Sequence, residues 1–168
     1  MNTLSRHICF HASFPLPAPD CGSNPGWRKN NNICYYYNDT DIVDFHTAIM
    51  RCYAEKAMLV SILNKNEQAY LAIIDNHYLK DLQLPSWIGL SDLLVENQYA
   101  WSDGVSPVLY TNWNEHEPNN AGGEHCVAMT HGTLTTGKWN DDACHRNHSF
   151  VCYRKKCKSD KGTFFVFF

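Results

Sequence analysis

The residues with the most evident chemistry lie in two short stretches of the C-terminal half. Glu117-Pro118-Asn119-Asn120 runs on through a Gly-rich segment to Glu124-His125-Cys126, and Trp139-Asn140-Asp141-Asp142 lies just before Cys144. Glu117, Asn119, Glu124, Asn140 and Asp141 offer carboxylate and carboxamide oxygens, hard donors of the kind Ca²⁺ takes in sets of about 6–8. They stand as acid–amide pairs, Glu117 with Asn119 and Glu124 with Asn140, while Asp141 adds charge to hold the ion. Pro118 fixes the turn between the first pair. The weight lies in the whole set, because a lone Glu-Pro-Asn triplet is ordinarily a solvated loop.

Upstream stands Trp87-Ile88-Gly89-Leu90. With that run, the Glu-Pro-Asn and Trp-Asn-Asp triplets in this order, and cysteines in matching places, the chain from about Cys21 to Cys152 resembles a C-type lectin domain of the mannose-binding kind. It is most similar to the domains of the macrophage mannose receptor group. The resemblance implies an α+β, disulfide-stapled fold of two helices, short antiparallel strands and a long calcium-binding loop. It implies Ca²⁺ as cofactor, with Glu117, Asn119, Glu124, Asn140 and Asp141 as both metal ligands and sugar contacts, and a cis peptide before Pro118. In that family Glu-Pro-Asn goes with mannose, fucose, glucose and N-acetylglucosamine, and Gln-Pro-Asp with galactose. An auxiliary Ca²⁺ would use Asp92, Glu96 and Asn120 together with Glu124, but His125 stands where another acid is usual. Eight cysteines allow about 100 pairings. The resemblance selects Cys21–Cys34, Cys52–Cys152 and Cys126–Cys144, leaving Cys9 and Cys157 over.

The elements that must position these residues are legible from patterning. Asp44 to Lys56 has helical spacing, with Phe45, Ala48, Ile49, Cys52 and Tyr53 on one face and Asp41 or Asp44 as cap. Met58 to Ile62 reads as a short strand. Asn64, with Glu67 three residues on, opens a second helix through a capping box; its apolar face would be Ala69, Tyr70, Ile73 and Ile74. Trp87 to Leu90 is a buried strand, Asp92 and Glu96 follow on a polar loop, and Phe150 to Tyr153 is the last strand. Trp101, Trp113 and Trp139 are expected in the core, His116 and His131 at the surface. Helices first and short strands after give an α+β class. The stretch between Trp113 and Cys126 is too polar to pack, and a long loop of this kind is usually functional.

The totals narrow the function. The 168 residues fit one domain, and a net charge of −3 argues against nucleic acid as a partner. The even cysteine count points to an oxidising, extracellular setting, as do sequons at Asn38 and Asn147. No apolar run approaches the ~20 residues that cross a bilayer, so no membrane insertion by this chain is expected. Residues 1–20 read as a poorly ordered leader or linker without a clean signal peptide, 21–154 as the domain, and 155–168 as a tail with no role attached. The expected setting is a piece of a longer secreted or membrane-anchored protein, multimeric or part of a multidomain receptor, whose partners are glycans or glycoproteins carrying mannose-type sugars. An enzyme is disfavoured. Gly89-Leu90-Ser91 lacks the following Gly of a nucleophile elbow. Cys144, His145, His148 and Cys152 could hold zinc, but those cysteines are better used as disulfides and no His-Glu-x-x-His motif is present. The other rival is a protein-binding module on the same fold; such modules typically lack the primary ligands, which are complete here.

Overall fold

The structure, a computed structural model, describes residues 21, 26–78, 85–131 and 136–155. The expectations for residues 1–20, for Cys9 and Cys157, and for the tail beyond 155 lie outside that set. A hairpin opens the fold: β1 (Trp27–Asn30) pairs antiparallel with β2 (Ile33–Val43), and Asn31 takes a positive φ of 53° at the turn. Asn tolerates that conformation because its short polar side chain bonds locally. β2 then pairs along β8 (His148–Lys155), so the two ends of the domain meet at the centre of one sheet.

Helix α1 (Phe45–Ala54) follows. Asp44 caps it, its Oδ1 accepting from the N–H groups of His46 (3.0 Å) and Thr47 (3.1 Å) and its Oδ2 from Thr47 Oγ1 (2.6 Å). The Thr47 hydroxyl and backbone bonds hold the Asp44 carboxyl below its ordinary range. Phe45, Ala48 and Cys52 are buried, as their spacing predicts, but Tyr53 is 48% exposed. Cys52 bonds to Cys152 on β8, closing a loop of 100 residues. A loop of that length removes about 4–5 kcal/mol of unfolded-chain freedom in the entropic account.

After β3 (Met58–Leu59) comes α2 (Lys65–Tyr78), where Asn64 Oδ1 accepts from the N–H groups of Asn66 and Glu67. The Glu67 carboxylate reaches back to the N–H of Leu63 at 2.8 Å, one residue before the cap. The inward face of α2 differs from the expected one. Leu71 and Gln68 are buried, whereas Ala69 and Ile73 are exposed. Gln68 turns inward because the indole of Trp139 needs an acceptor: Trp139 Nε1 donates to Gln68 Oε1 at 2.7 Å. Apolarity alone cannot locate a face whose key member is an amide.

The remaining strands are β4 (Ser86–Ser91), β5 (Ala100–Trp101), β6 (Cys126–Met129) and β7 (Trp139–Asp142). The sheet order is β1-β2-β8-β4-β6-β7, with β3 on β8 and β5 on β4. The pairings between named strands are antiparallel except β4 with β8, which runs parallel, as does the isolated bridge between Trp113 and Trp139; these depart from the all-antiparallel expectation. Trp87, Trp139, Phe45 and Phe150 fill the core, and Trp101 is 3% exposed, as expected. Gly89 sits where the β4 backbone meets its neighbours. A Cβ there would lie 2.8 Å from the Leu59 carbonyl oxygen and 2.7 Å from Ser102 Oγ. Gly89→Ala is therefore expected to destabilise the domain by about 1–3 kcal/mol, as overpacking of a tight interior does, read as a lower thermal midpoint. His131, expected at the surface, is half-buried, with Nε2 2.7 Å from Ser86 Oγ.

Candidate functional site

Three devices bring the chemical residues together. β6 and β7 pair in a register that sets Cys126 opposite Asp142 and Val127 opposite Asp141. The Cys126–Cys144 disulfide closes the same end. The long loop is anchored at its base, where the Asn114 N–H donates to the Trp139 carbonyl at 2.8 Å, and the rings of Trp113 and Trp139 meet edge to face 5.8 Å apart. The Glu117–Pro118 peptide is cis.

Asp141 is the hub. It is fully buried, and its two oxygens accept the backbone N–H groups of Asn119 (3.0 Å) and Asn120 (2.8 Å). Asn119 Nδ2 donates to Glu117 Oε1 at 2.9 Å, the carboxylate–carboxamide pair read from the sequence. Asn119 Oδ1 and Glu124 Oε2 both accept from the N–H of Ala121, at 2.7 and 3.2 Å, so these two oxygens converge. Asn140 stands beside Asp141 on β7 with its Nδ2 donating to the Asp141 carbonyl. Among the described residues no hydrogen bond joins it to Glu124, the partner that the sequence pairs it with. Glu117 Oε2 is buried and has no hydrogen-bond partner.

The acids crowd one another. Burial first, then the neighbouring Asp141 and Glu124, push the Glu117 carboxyl up to about 7. Burial, with Asp141 and Asp142 beside it, raises Glu124 as well. A carboxylate that is partly desolvated, short of a donor and faced by two other acids lacks a positive partner.

A second cluster adjoins the first. Asp92 Oδ1 lies 3.0 Å from His125 Nδ1, and Glu96 Oε2 lies 3.4 Å from the same nitrogen. Asn120 Nδ2 donates to Glu96 Oε1. Asp92, which the sequence places on a polar loop, is 2% exposed. Sequence reasoning missed Tyr99, whose hydroxyl reaches Asp141 Oδ2 at 3.4 Å, and the role of Asp142. Asp142 Oδ2 pairs with His148 Nε2 at 2.7 Å and Oδ1 with Arg146 at 2.9 Å. Burial pulls Asp142 upward, but the bonds from His148 and the Ala143 N–H, with Arg146 nearby, hold its pKa below the ordinary value. The spacing of Asp142 and Arg146, four residues apart, was the available signal. The zinc alternative fails on geometry, because Cys144 and Cys152 are both in disulfides.

Comparison with known proteins fits this architecture. Residues 41–154 match the lectin C-type domain family. The chain is 42% identical over 119 residues to the mouse low affinity immunoglobulin epsilon Fc receptor, covering 70% of this chain and 32% of the receptor. It is 31% identical over 135 residues to lectin BRA-3 of Megabalanus rosa, covering 79% of this chain and 77% of that lectin. The cow C-type carbohydrate-recognition domain of CD23, solved in the presence of GlcNAc2Man3 oligosaccharide, superposes with a TM-score of 0.68 at 34% identity, over 79% of this chain and 95% of that one. The chain belongs to the C-type lectin domain family. These two curated relatives are a receptor and a lectin.

Proposed function

We propose that this domain binds carbohydrate in a calcium-dependent manner, taking mannose-, fucose- or N-acetylglucosamine-type sugars through vicinal hydroxyls. The observation that carries the reading is the cluster of Glu117, Asn119, Glu124 and Asp141 with one buried, unpartnered carboxylate oxygen on Glu117. Oxygen donors and surplus negative charge fit a hard divalent cation. Glu117, Asn119, Glu124, Asn140 and Asp141 would hold one Ca²⁺, which supplies the Lewis acidity that draws in two hydroxyl oxygens. The Asn119–Glu117 pair presents a donor beside an acceptor, which is what one hydroxyl of such a diol requires. The cow CD23 domain and BRA-3 support carbohydrate as the ligand class.

The setting that goes with this function is extracellular, in a secreted lectin or a receptor ectodomain, with N-glycans on Asn38 or Asn147. Asn147 is exposed beside β8, and among the described residues no helix is long and apolar enough to cross a membrane. A single site of this kind binds a monosaccharide at ~1 mM, so repeated copies, by self-association or in a longer chain, would supply avidity. The test is retention on immobilised mannose in Ca²⁺ and release by a chelator. Retention that survives chelation would overturn the reading.

The acids also set a pH dependence. The Glu117 pKa in the fold, about 7, lies above its ordinary 4.5. Protonation therefore favours the metal-free fold at acid pH, and that contribution is lost as pH rises through about 7. Ca²⁺ must displace this proton. Its affinity, and the rise in thermal midpoint it causes, should be largest above neutrality and should fall steadily toward about pH 5. Calorimetry in buffers of different ionisation enthalpy should register proton release on Ca²⁺ binding near pH 7.

A further inference from the structure

The two acidic clusters differ in one respect. In the Glu117 cluster a carboxylate oxygen lacks a partner. In the neighbouring cluster three of the four carboxylate oxygens are hydrogen-bonded, and the fourth, Glu96 Oε2, faces His125 Nδ1. Asp92 Oδ2 accepts from the Asn97 N–H at 2.7 Å, and Asp92 Oδ1 faces His125 Nδ1 at 3.0 Å. Glu96 Oε1 accepts from the Nδ2 groups of Asn120 and, at 3.3 Å, Asn97, while Glu96 Oε2 faces His125 Nδ1 at 3.4 Å. Both carboxylates only accept, so His125 Nδ1 carries a hydrogen in either the neutral or the charged ring. A cation entering here would have to displace those donors, one of them from an Asp side chain only 1% exposed.

We infer that Asp92, Glu96, Asn120 and His125 form a strut made of protein alone, which takes the place of a second Ca²⁺ and positions the loop that carries the first. The inference rests on the calcium reading of the Glu117 cluster. Asn120 is the joint between the clusters. Its side chain holds Glu96, its Oδ1 accepts from the Glu124 N–H at 2.8 Å, and its own N–H is held by Asp141 Oδ2. A positive φ of 49° at Asn120 allows one residue to face all three. His125 forms the other leg. The Asp92 N–H donates to the His125 carbonyl at 3.1 Å while the side chains meet, so the segment from Asp92 to Asn97 is tied at both ends to the segment from Asn120 to His125. The strut does for Glu124 and Asp141 what outer-shell partners do for metal ligands, setting their orientation before the ion arrives.

The experiment is calorimetric titration of the chain with Ca²⁺ alone, for the wild type, His125→Asp, His125→Ala and His125→Gln. The strut predicts one Ca²⁺ per wild-type chain and two per His125→Asp chain, where an acid replaces the donor that fills the second site. His125→Ala should weaken the single site about tenfold, by loss of orienting contacts, with mannose binding recovered at saturating Ca²⁺. His125→Gln, which keeps a donor, should restore part of the affinity. Two ions in the wild type, one ion in His125→Asp, or unchanged affinity in His125→Ala would each overturn the strut. No Ca²⁺ binding by the wild type would instead overturn the calcium reading itself.

Discussion

Asp141→Asn is expected to abolish calcium-dependent binding to mannose while leaving a folded domain. The buried Asp141 carboxylate accepts two backbone N–H groups from the loop and sits between Glu117 and Glu124. The substitution preserves shape but removes one full charge from the ion site and turns one acceptor into a donor facing an N–H. Hydrogen bonds to a charged group are each worth about 1.5–3 kcal/mol. Losing one and the charge assistance of the other, with the ligand charge, should lower Ca²⁺ affinity by at least about 100-fold at ~1.4 kcal/mol per decade. The sheet does not depend on this carboxylate, since β6 and β7 pair through their backbones and the Cys126–Cys144 bridge remains. Circular dichroism should therefore be unchanged. Retained mannose binding would place the site elsewhere.

The second large effect is on specificity. Glu117 and Asn119 now present a carboxylate acceptor and an amide donor 2.9 Å apart. Glu117→Gln with Asn119→Asp exchanges these roles while keeping an oxygen at each position for the ion. A sugar whose hydroxyls need the present order should lose contacts on this side, and one needing the reverse should gain them. Mannose binding should fall by at least about tenfold, the equivalent of one good polar contact, and galactose binding should appear. A double variant that still prefers mannose would show that the hydrogen-bond pattern at Glu117 and Asn119 does not set the choice.

Much of this was legible from residue types and order. The Trp87–Leu90 strand, the Asp44 cap, the long polar loop and the Cys21–Cys34, Cys52–Cys152 and Cys126–Cys144 bridges stand where the sequence and its family resemblance place them. What escaped were polar groups with interior partners. Gln68 is buried because Trp139 needs an acceptor. Asp92 is buried because the Asn97 N–H, five residues on in the same loop, and His125, from a distant segment, supply donors. His148 faces Asp142 across a turn. Burial follows periodicity for apolar side chains, but for polar ones it follows the partners they meet across turns and between segments, which an apolar pattern does not carry.

The most direct measurement is a glycan array probed with the domain in Ca²⁺ and again in excess chelator. The account predicts signal on terminal mannose, fucose and N-acetylglucosamine, weak on galactose, and lost with chelator. Signal indifferent to the chelator, or no glycan signal from a chain whose folding is verified on the same sample, would contradict it and favour a protein-binding module on this fold.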